Sequence, residues 1–193
     1  MLNKTDFAAM RKEILDYDSQ RELLIKKSRD VLKLSKQIIY AVHRDELKQA
    51  EKLIGDIRKE KSTLEKFAKH SNLMESEGSY KVALQEYAEA LLYHFVVKNK
   101  ALATRKELDL ETIYYILGLC DLTGELVRKA VYLAGKGNVN DVIQIKDLVD
   151  TIYGELLAFD FRDNETRRKF DAMKYDLKKL EDLVLELKLK GKL

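Results

Sequence analysis

The sequence predicts an all-α, single-domain bundle of about six to seven helices. Three observations carry that expectation. The 193 residues contain no proline and only eight glycines, too little turn punctuation for a strand-rich fold. Charged residues make up 36 % and apolar residues 46 %, a balance that suits amphipathic helices. Apolar residues recur at helical spacing through long stretches without a breaker. The length allows one domain over residues 1–193 with a substantial core.

The first helix is expected over residues 5–44, with Thr5 or Asp6 as its N-cap. Its apolar residues include Ile14, Leu15, Leu23, Leu24, Val31, Leu34, Ile38, Ile39 and Val42. Its other face is basic, with Arg21, Lys26, Lys27, Arg29, Lys33, Lys36 and Arg44. That face reads either as solvated surface or as a stripe facing phosphates. A second helix over 45–70 carries one apolar stripe, Leu47, Ala50, Leu53, Ile54, Ile57, Leu64 and Phe67, so it belongs on the outside of the bundle. A polar loop follows.

The third helix, Ser79–Val97, is the centre of the prediction. Ser79 is a plausible cap, and Val82, Ala83, Leu84, Tyr87, Ala88, Ala90, Leu91, Leu92, Phe95 and Val96 surround the axis. A helix apolar nearly all the way round belongs inside the protein. Thr104–Glu107 has the pattern of a capping box for a short helix. A fourth long helix spans 109–134, apolar all round from Ile113 to Cys120. Gly118 and Gly124 interrupt its propensity, at roughly 1 kcal/mol each. Such glycines permit close approach of a neighbouring backbone or a ligand. A fifth helix covers 138–160, with Leu156 and Leu157 on its apolar side. The last covers about 164–190, where Phe170, Met173, Leu177, Leu180, Leu183, Val184 and Leu187 form a narrow seam that asks for a partner helix, internal or from another copy.

Several function classes are excluded. One cysteine, Cys120, permits neither an internal disulfide framework nor a cysteine-based zinc cage. The N-terminus lacks the apolar core of a signal peptide, and the two glutamates in Val82–Val97 argue against a membrane span, so a soluble, cytoplasmic protein is expected. A net charge of +3 is too balanced to establish nucleic-acid binding by itself.

The candidate chemistry lies in four acids on the two most apolar helices. Glu86 and Glu89 sit three residues apart, about 60° around the helix, with no Lys or Arg between Lys81 and Lys98. Asp121 and Glu125 sit four apart, about 40° around theirs. A buried carboxylate without a partner is costly and normally has a cation, a metal or a shifted pKa. If the two helices pack side by side, the four acids converge on one point. Oxygen-only ligands suit Mg2+ or Mn2+. The structural alternative stays open: Glu125 pairs with Arg128 or Lys129, and Glu86 and Glu89 meet basic residues across an interface. A di-iron centre is disfavoured, because none of His43, His70 or His94 follows a glutamate by three residues. His94 reads as a satisfied core or interface histidine and Cys120 as a small apolar filler. Tyr87, Tyr114 and Tyr115 read as core or interface residues rather than base-stacking platforms.

Four segments resemble the translin/Trax (translin-associated factor X) family: L-S-K-Q-I-I-Y-A-V-H-R (34–44), L-Q-E-Y-A-E-A (84–90), L-G-L-C-D-L-T-G-E-L-V-R-K-A-V (117–131) and R-R-K-F-D-A-M-K-Y-D-L-K-K-L-E-D-L-V-L-E-L-K-L-K-G (167–191). The resemblance implies a translin-like bundle of about seven helices. Q-E-Y-x-E-A and D-L-T-G-E-L look like the Trax branch, whose acids make the mixed complex a Mg2+-dependent endoribonuclease. It places Glu86, Glu89 and Asp121 on catalytic, metal-holding positions, with Glu125 as the motif glutamate. Translin-like subunits bind RNA and single-stranded DNA, so a binding protein without catalysis is the alternative. The family assembles as hollow octamers with active sites and basic residues inside. A homo-octamer acting on single-stranded RNA or short duplexes is therefore expected, with Phe170–Leu187 as a candidate interface. Arg21, Lys26, Arg29, Lys33, Arg128 and Lys129 are the candidate RNA contacts.

Overall fold

The structure, a computed structural model, describes residues 2–191. The described residues form seven helices and no strand: α1 Lys4–His43, α2 Leu47–Ala68, α3 Asn72–Glu75, α4 Gly78–Asn99, α5 Thr112–Gly135, α6 Val139–Leu156 and α7 Asn164–Leu189. The all-α prediction holds. α4 and α5 pack on each other. α1 and α2 then cover α4, while α6 and α7 cover α5. This explains the unbroken apolar circumference of α4, where thirteen residues from Tyr80 to Val96 are buried.

Local details depart from expectation. Asn3 caps α1, its side chain accepting from the Thr5 and Asp6 amides at 3.1 and 3.2 Å, so Thr5 and Asp6 are capped rather than capping. Ser79 lies inside α4, which begins at Gly78 without a side-chain cap. The capping box at Thr104 and Glu107 does form: the Thr104 amide and hydroxyl donate to Glu107 at 2.6 and 2.7 Å. It closes a turn instead of a helix. The chain leaves that turn at Asp109, whose φ of 51° is left-handed and cannot continue a right-handed helix. Buried Lys61 holds the turn from α2, donating to the Asp109 backbone carbonyl and carboxylate. The short seventh helix is instead α3, capped by Ser71.

Two apolar stripes behave differently from their predictions. The α7 seam is taken up inside the chain: Phe170, Met173, Leu177, Leu180 and Leu187 are buried, and α7 packs on α5 and α6. As an interface between copies it is spent. Conversely, Ile14, Leu15 and Leu23 of α1 are exposed, as is Leu157 beyond the end of α6. The first buried residue of α1 is Leu24. Among the described residues no helix is long and apolar enough to cross a membrane.

Candidate functional site

The site begins with a close approach. Gly118 of α5 lies against Ala88 of α4: a Cβ placed on Gly118 would sit 2.4 Å from the Ala88 Cβ and 2.9 Å from the Glu89 amide nitrogen. Only glycine permits helices this near. Glu86 and Glu89 flank Ala88 on one helix. Asp121 and Glu125 follow Gly118 by three and seven residues on the other, on the same face. The contact therefore sets the two pairs of acids opposite each other.

Glu86, Glu89 and Glu125 line a cavity of about 330 Å³ together with Lys36, Ile39 and Tyr40 of α1 and Arg128 of α5. Glu89 is 9 % exposed. Burial, followed by the charges of Asp121, Glu86 and Glu125, pushes its pKa up to about 8, with Lys169 opposing. Burial also raises Glu86; Lys36 works against this, while Asp121 adds to it. Neither glutamate has a cation within 4 Å among the described residues; Lys169 is taken by Asp121, and Arg128 lies 3.9 Å from Glu125.

Asp121 stands apart from the cavity wall. Lys169 of α7 donates to its two oxygens at 2.6 and 2.9 Å, and the Gln85 side-chain amide donates to Oδ2. Glu125 does not take Lys129 as its partner. Its Oε2 meets Nε2 of His43, with Arg128 at 3.9 Å. Nδ1 of His43 in turn meets the Tyr93 hydroxyl at 2.9 Å.

The donor chemistry suits a hard divalent cation: carboxylates on facing helices, of which Glu86 and Glu89 are raised by burial and by their acidic neighbours and have no cation in direct contact. As they stand, the described residues contain no group of three His, Cys, Asp or Glu side chains drawn together around one point. Asp121 is bound to Lys169 and Gln85, and Glu125, though on the cavity wall, is bound through Oε2 to His43.

The basic candidates separate. Arg29 and Lys33 line an open groove of about 760 Å³ beside Lys36, Tyr40 and Gln49. Lys36 and Tyr40 belong also to the acidic cavity, so groove and cavity adjoin. Arg128 reaches the cavity directly. Lys26 is exposed and lines neither. Arg21 is bound to Glu77 at 2.7 Å, at the head of α4. Lys129 is 5 % exposed and bonded to Asp45 at 2.6 Å, so the expectation of an RNA contact there is overturned by burial. Lys36, His43, Gln85 and Lys169 were not singled out for the site from the sequence. One signal was available: Lys36, Ile39, Tyr40 and His43 share a stripe of α1 at spacings of three and four.

Cys120 keeps its structural reading, whereas His94 is a core residue as expected but not a satisfied one. Cys120 is buried, its thiol pushed up to about 12 by burial and then by Asp121. His94 is 5 % exposed, and its ring nitrogens find no hydrogen-bond partner.

The sequence model of the Translin family matches residues 19–191. Translin-associated protein X of Pongo abelii is 23 % identical, covering 96 % of this chain and 78 % of its own length. An uncharacterized protein of Methanocaldococcus jannaschii is 29 % identical, covering 84 % of this chain and 73 % of its own. The crystal structure of apo-NeC3PO superposes with a TM-score of 0.86 at 26 % identity, covering 96 % of this chain and 97 % of that one. AfC3PO gives 0.87 at 19 % identity, covering 96 % and 98 %. A match that takes in most of the chain, on a fold shared end to end, places this protein in the Translin family.

Proposed function

We propose that the protein is a Mg2+-dependent endoribonuclease of the translin/Trax type, with Mn2+ able to substitute, that cleaves RNA bound inside a hollow homo-oligomer. The observation that carries this reading is the pair Glu86 and Glu89: half-buried and buried, without a counter-ion, on the wall of a cavity that adjoins a basic groove. A divalent ion bound there would supply Lewis-acid chemistry, making a water more acidic and offsetting charge on a phosphate.

The protein's own residues do the rest. Glu86, Glu89 and Asp121 would hold the ion, with Glu125 beside them. For Asp121 this requires Lys169 and Gln85 to yield at least one oxygen. Lys36 and Arg128, on the rim of the same cavity, are placed to meet phosphate oxygens. Arg29 and Lys33 extend that positive edge along α1, so a strand entering by the groove meets charge before it meets the acids. RNA as the ligand is supported by AfC3PO, which shares the fold and has been solved with duplex RNA. Assembly is supported by the apolar residues Phe7, Met10 and Ile14 left bare on α1.

A second reading, an RNA- or single-stranded-DNA-binding protein without catalysis, is favoured by one observation: Asp121 is already satisfied by Lys169 and Gln85. One experiment separates the two. RNA cleavage is measured for the wild type and for Glu86→Ala/Glu89→Ala, in Mg2+ and in EDTA. The enzyme reading expects cleavage by the wild type in Mg2+ only, reduced at least about 100-fold in the double variant, with RNA binding retained. Equal cleavage by both proteins, or binding without any metal-dependent cleavage, rejects it.

A further inference from the structure

A chain of hydrogen bonds runs from the core to the wall of the acidic cavity, through Tyr93, His43 and Glu125. We propose that His43 is a positioning residue: it clamps Oε2 of Glu125, so that the carboxylate presents its other oxygen to a divalent cation. The inference rests on the catalytic reading above.

The backbone arrangement supports it first. His43 is the last residue of α1. Two residues on, Asp45 adopts a φ of 60°, which turns the chain sharply toward α2. Aspartate tolerates that left-handed geometry better than most side chains. Asp45 accepts from Lys129 at 2.6 Å, and Lys129 lies one helical turn beyond Glu125 on α5. The end of α1 is thus pinned to α5 at two successive turns, by His43 on Glu125 and by Asp45 on Lys129. A histidine held this way has little freedom to swing.

The protons follow from the partners. Tyr93 is fully buried, its ring 4.8 Å from the imidazole. Its hydroxyl meets Nδ1 of His43 at 2.9 Å. A carboxylate oxygen only accepts, so the Nε2 hydrogen goes to Glu125, and the Tyr93 hydroxyl, held protonated by burial, is the donor that Nδ1 requires. Nδ1 is then the acceptor, and Nε2 carries the hydrogen that goes to Glu125. Both contacts to Glu125, from His43 and from Arg128, fall on Oε2. No hydrogen bond among the described residues reaches Oε1, which is left for the cavity. The His43 side chain is 9 % exposed and does not line that cavity. It acts through Glu125 and does not touch RNA. Partners of this kind, one bond behind a metal ligand, typically change metal affinity 10- to 100-fold when removed.

The test measures Mn2+ affinity by electron paramagnetic resonance on the intact protein without RNA. RNA retention in EDTA and the thermal midpoint are recorded alongside. His43→Ala is expected to weaken Mn2+ binding about 10- to 100-fold and to leave RNA retention unchanged. His43→Gln, whose amide N–H can replace Nε2–H, is expected to recover most of the affinity. Tyr93→Phe is expected to lose part of it, because Nδ1 loses its anchor. Wild-type Mn2+ affinity in His43→Ala overturns the proposal and leaves the catalytic reading standing. Absence of Mn2+ binding by the wild type overturns both. If His43→Ala does not fold, Tyr93→Phe decides, and unchanged affinity there overturns the proposal.

Discussion

At the residue scale the site is defined by acids that the fold buries without a cation in direct contact. Glu89 shows it best. In the unfolded chain this carboxyl titrates near 4.5; in the fold, burial and three neighbouring carboxylates raise it to about 8. Between those values the folded state holds a proton that the unfolded chain has released. Stability contributed by Glu89 therefore falls as pH rises from about 4.5 to 8, then stays level. Glu89→Gln should melt higher than the wild type in EDTA at pH 8–9, and the difference should vanish below about pH 5. Added Mg2+ should raise the wild-type midpoint more at pH 8.5 than at pH 6, where a proton already does part of the ion's work, and should act less on Glu89→Gln. Melting curves across pH, with and without Mg2+, check this; parallel pH dependences for the two proteins would refute it. His94 works in the opposite direction. Burial and then Lys98 lower its pKa, so its contribution to stability is lost as pH falls through the ordinary histidine range near 6.5. His94→Leu should flatten that limb of the stability curve, as urea titrations at pH 7.5 and 5.5 would show. The four acids were legible in the sequence because they fall in pairs on the two most apolar helices. Lys36 and Lys169 were not, because α1 and α7 carry many basic residues of which only one each reaches the acids. Lys129 misled for the same reason: its charge is visible in the sequence, its burial against Asp45 is not.

At the scale of elements, the distance between α4 and α5 decides whether the acids meet. Gly118 and Gly124 look equivalent in the sequence, yet they differ in what faces them. A Cβ at Gly118 would strike Ala88 and the α4 backbone, whereas one at Gly124 would find only the Asp176 carboxylate at 3.8 Å. For Gly118→Ala, overpacking costs up to ~3 kcal/mol against ~1 kcal/mol of regained helix propensity, a net loss of about 2 kcal/mol. Gly124→Ala gains the propensity without the clash, up to ~1 kcal/mol. Urea denaturation of both variants tests the contrast. Gly118→Ala should also weaken metal-dependent cleavage more than its stability loss explains, because spreading the helices separates Glu86 and Glu89 from Asp121 and Glu125. Two substitutions with equal effects would contradict the close approach. The long helices were readable because each must bury a stripe, or in α4 its whole circumference, against neighbours. α3 was not readable, since four residues capped by Ser71 resemble any polar loop. The turn at Thr104 misled because a capping box is a local signal, and here Lys61 and the left-handed Asp109 end the chain's turn before a helix can propagate.

At the scale of the whole molecule, α1 is longer than the bundle it covers. Its inward face follows a heptad: Phe7, Met10, Ile14, Tyr17, Arg21, Leu24, Ser28, Val31, Ser35, Ile38 and Val42. From Leu24 onward every member of that face is buried. At Tyr17 and Arg21 the face meets Glu77, accepting both at 2.9 and 2.7 Å, at the head of α4. Beyond that point α4 has ended, and Phe7, Met10 and Ile14 continue the stripe past the edge of the bundle, 43, 39 and 61 % exposed. The apolar face read from the sequence starts at Ile14 and does not single out Phe7 and Met10, nor does periodicity show where the partner stops, which depends on how far α4 reaches in three dimensions. A helix face that is apolar in register with a buried one, and bare only past the edge of its own bundle, suits another copy of the chain. We therefore predict that Met10→Lys/Ile14→Lys loses assembly while keeping its fold. Light scattering should give the wild type a mass several times the 22.4 kDa chain, eight times if the octamer forms, and the variant a smaller mass at unchanged helical circular dichroism. Residues 24–189 keep their contacts in the variant, so the acidic cavity survives in each chain; what it loses is the enclosure. Metal-dependent cleavage that persists at reduced RNA affinity would match a site complete within one chain. An unchanged mass would assign assembly to another surface.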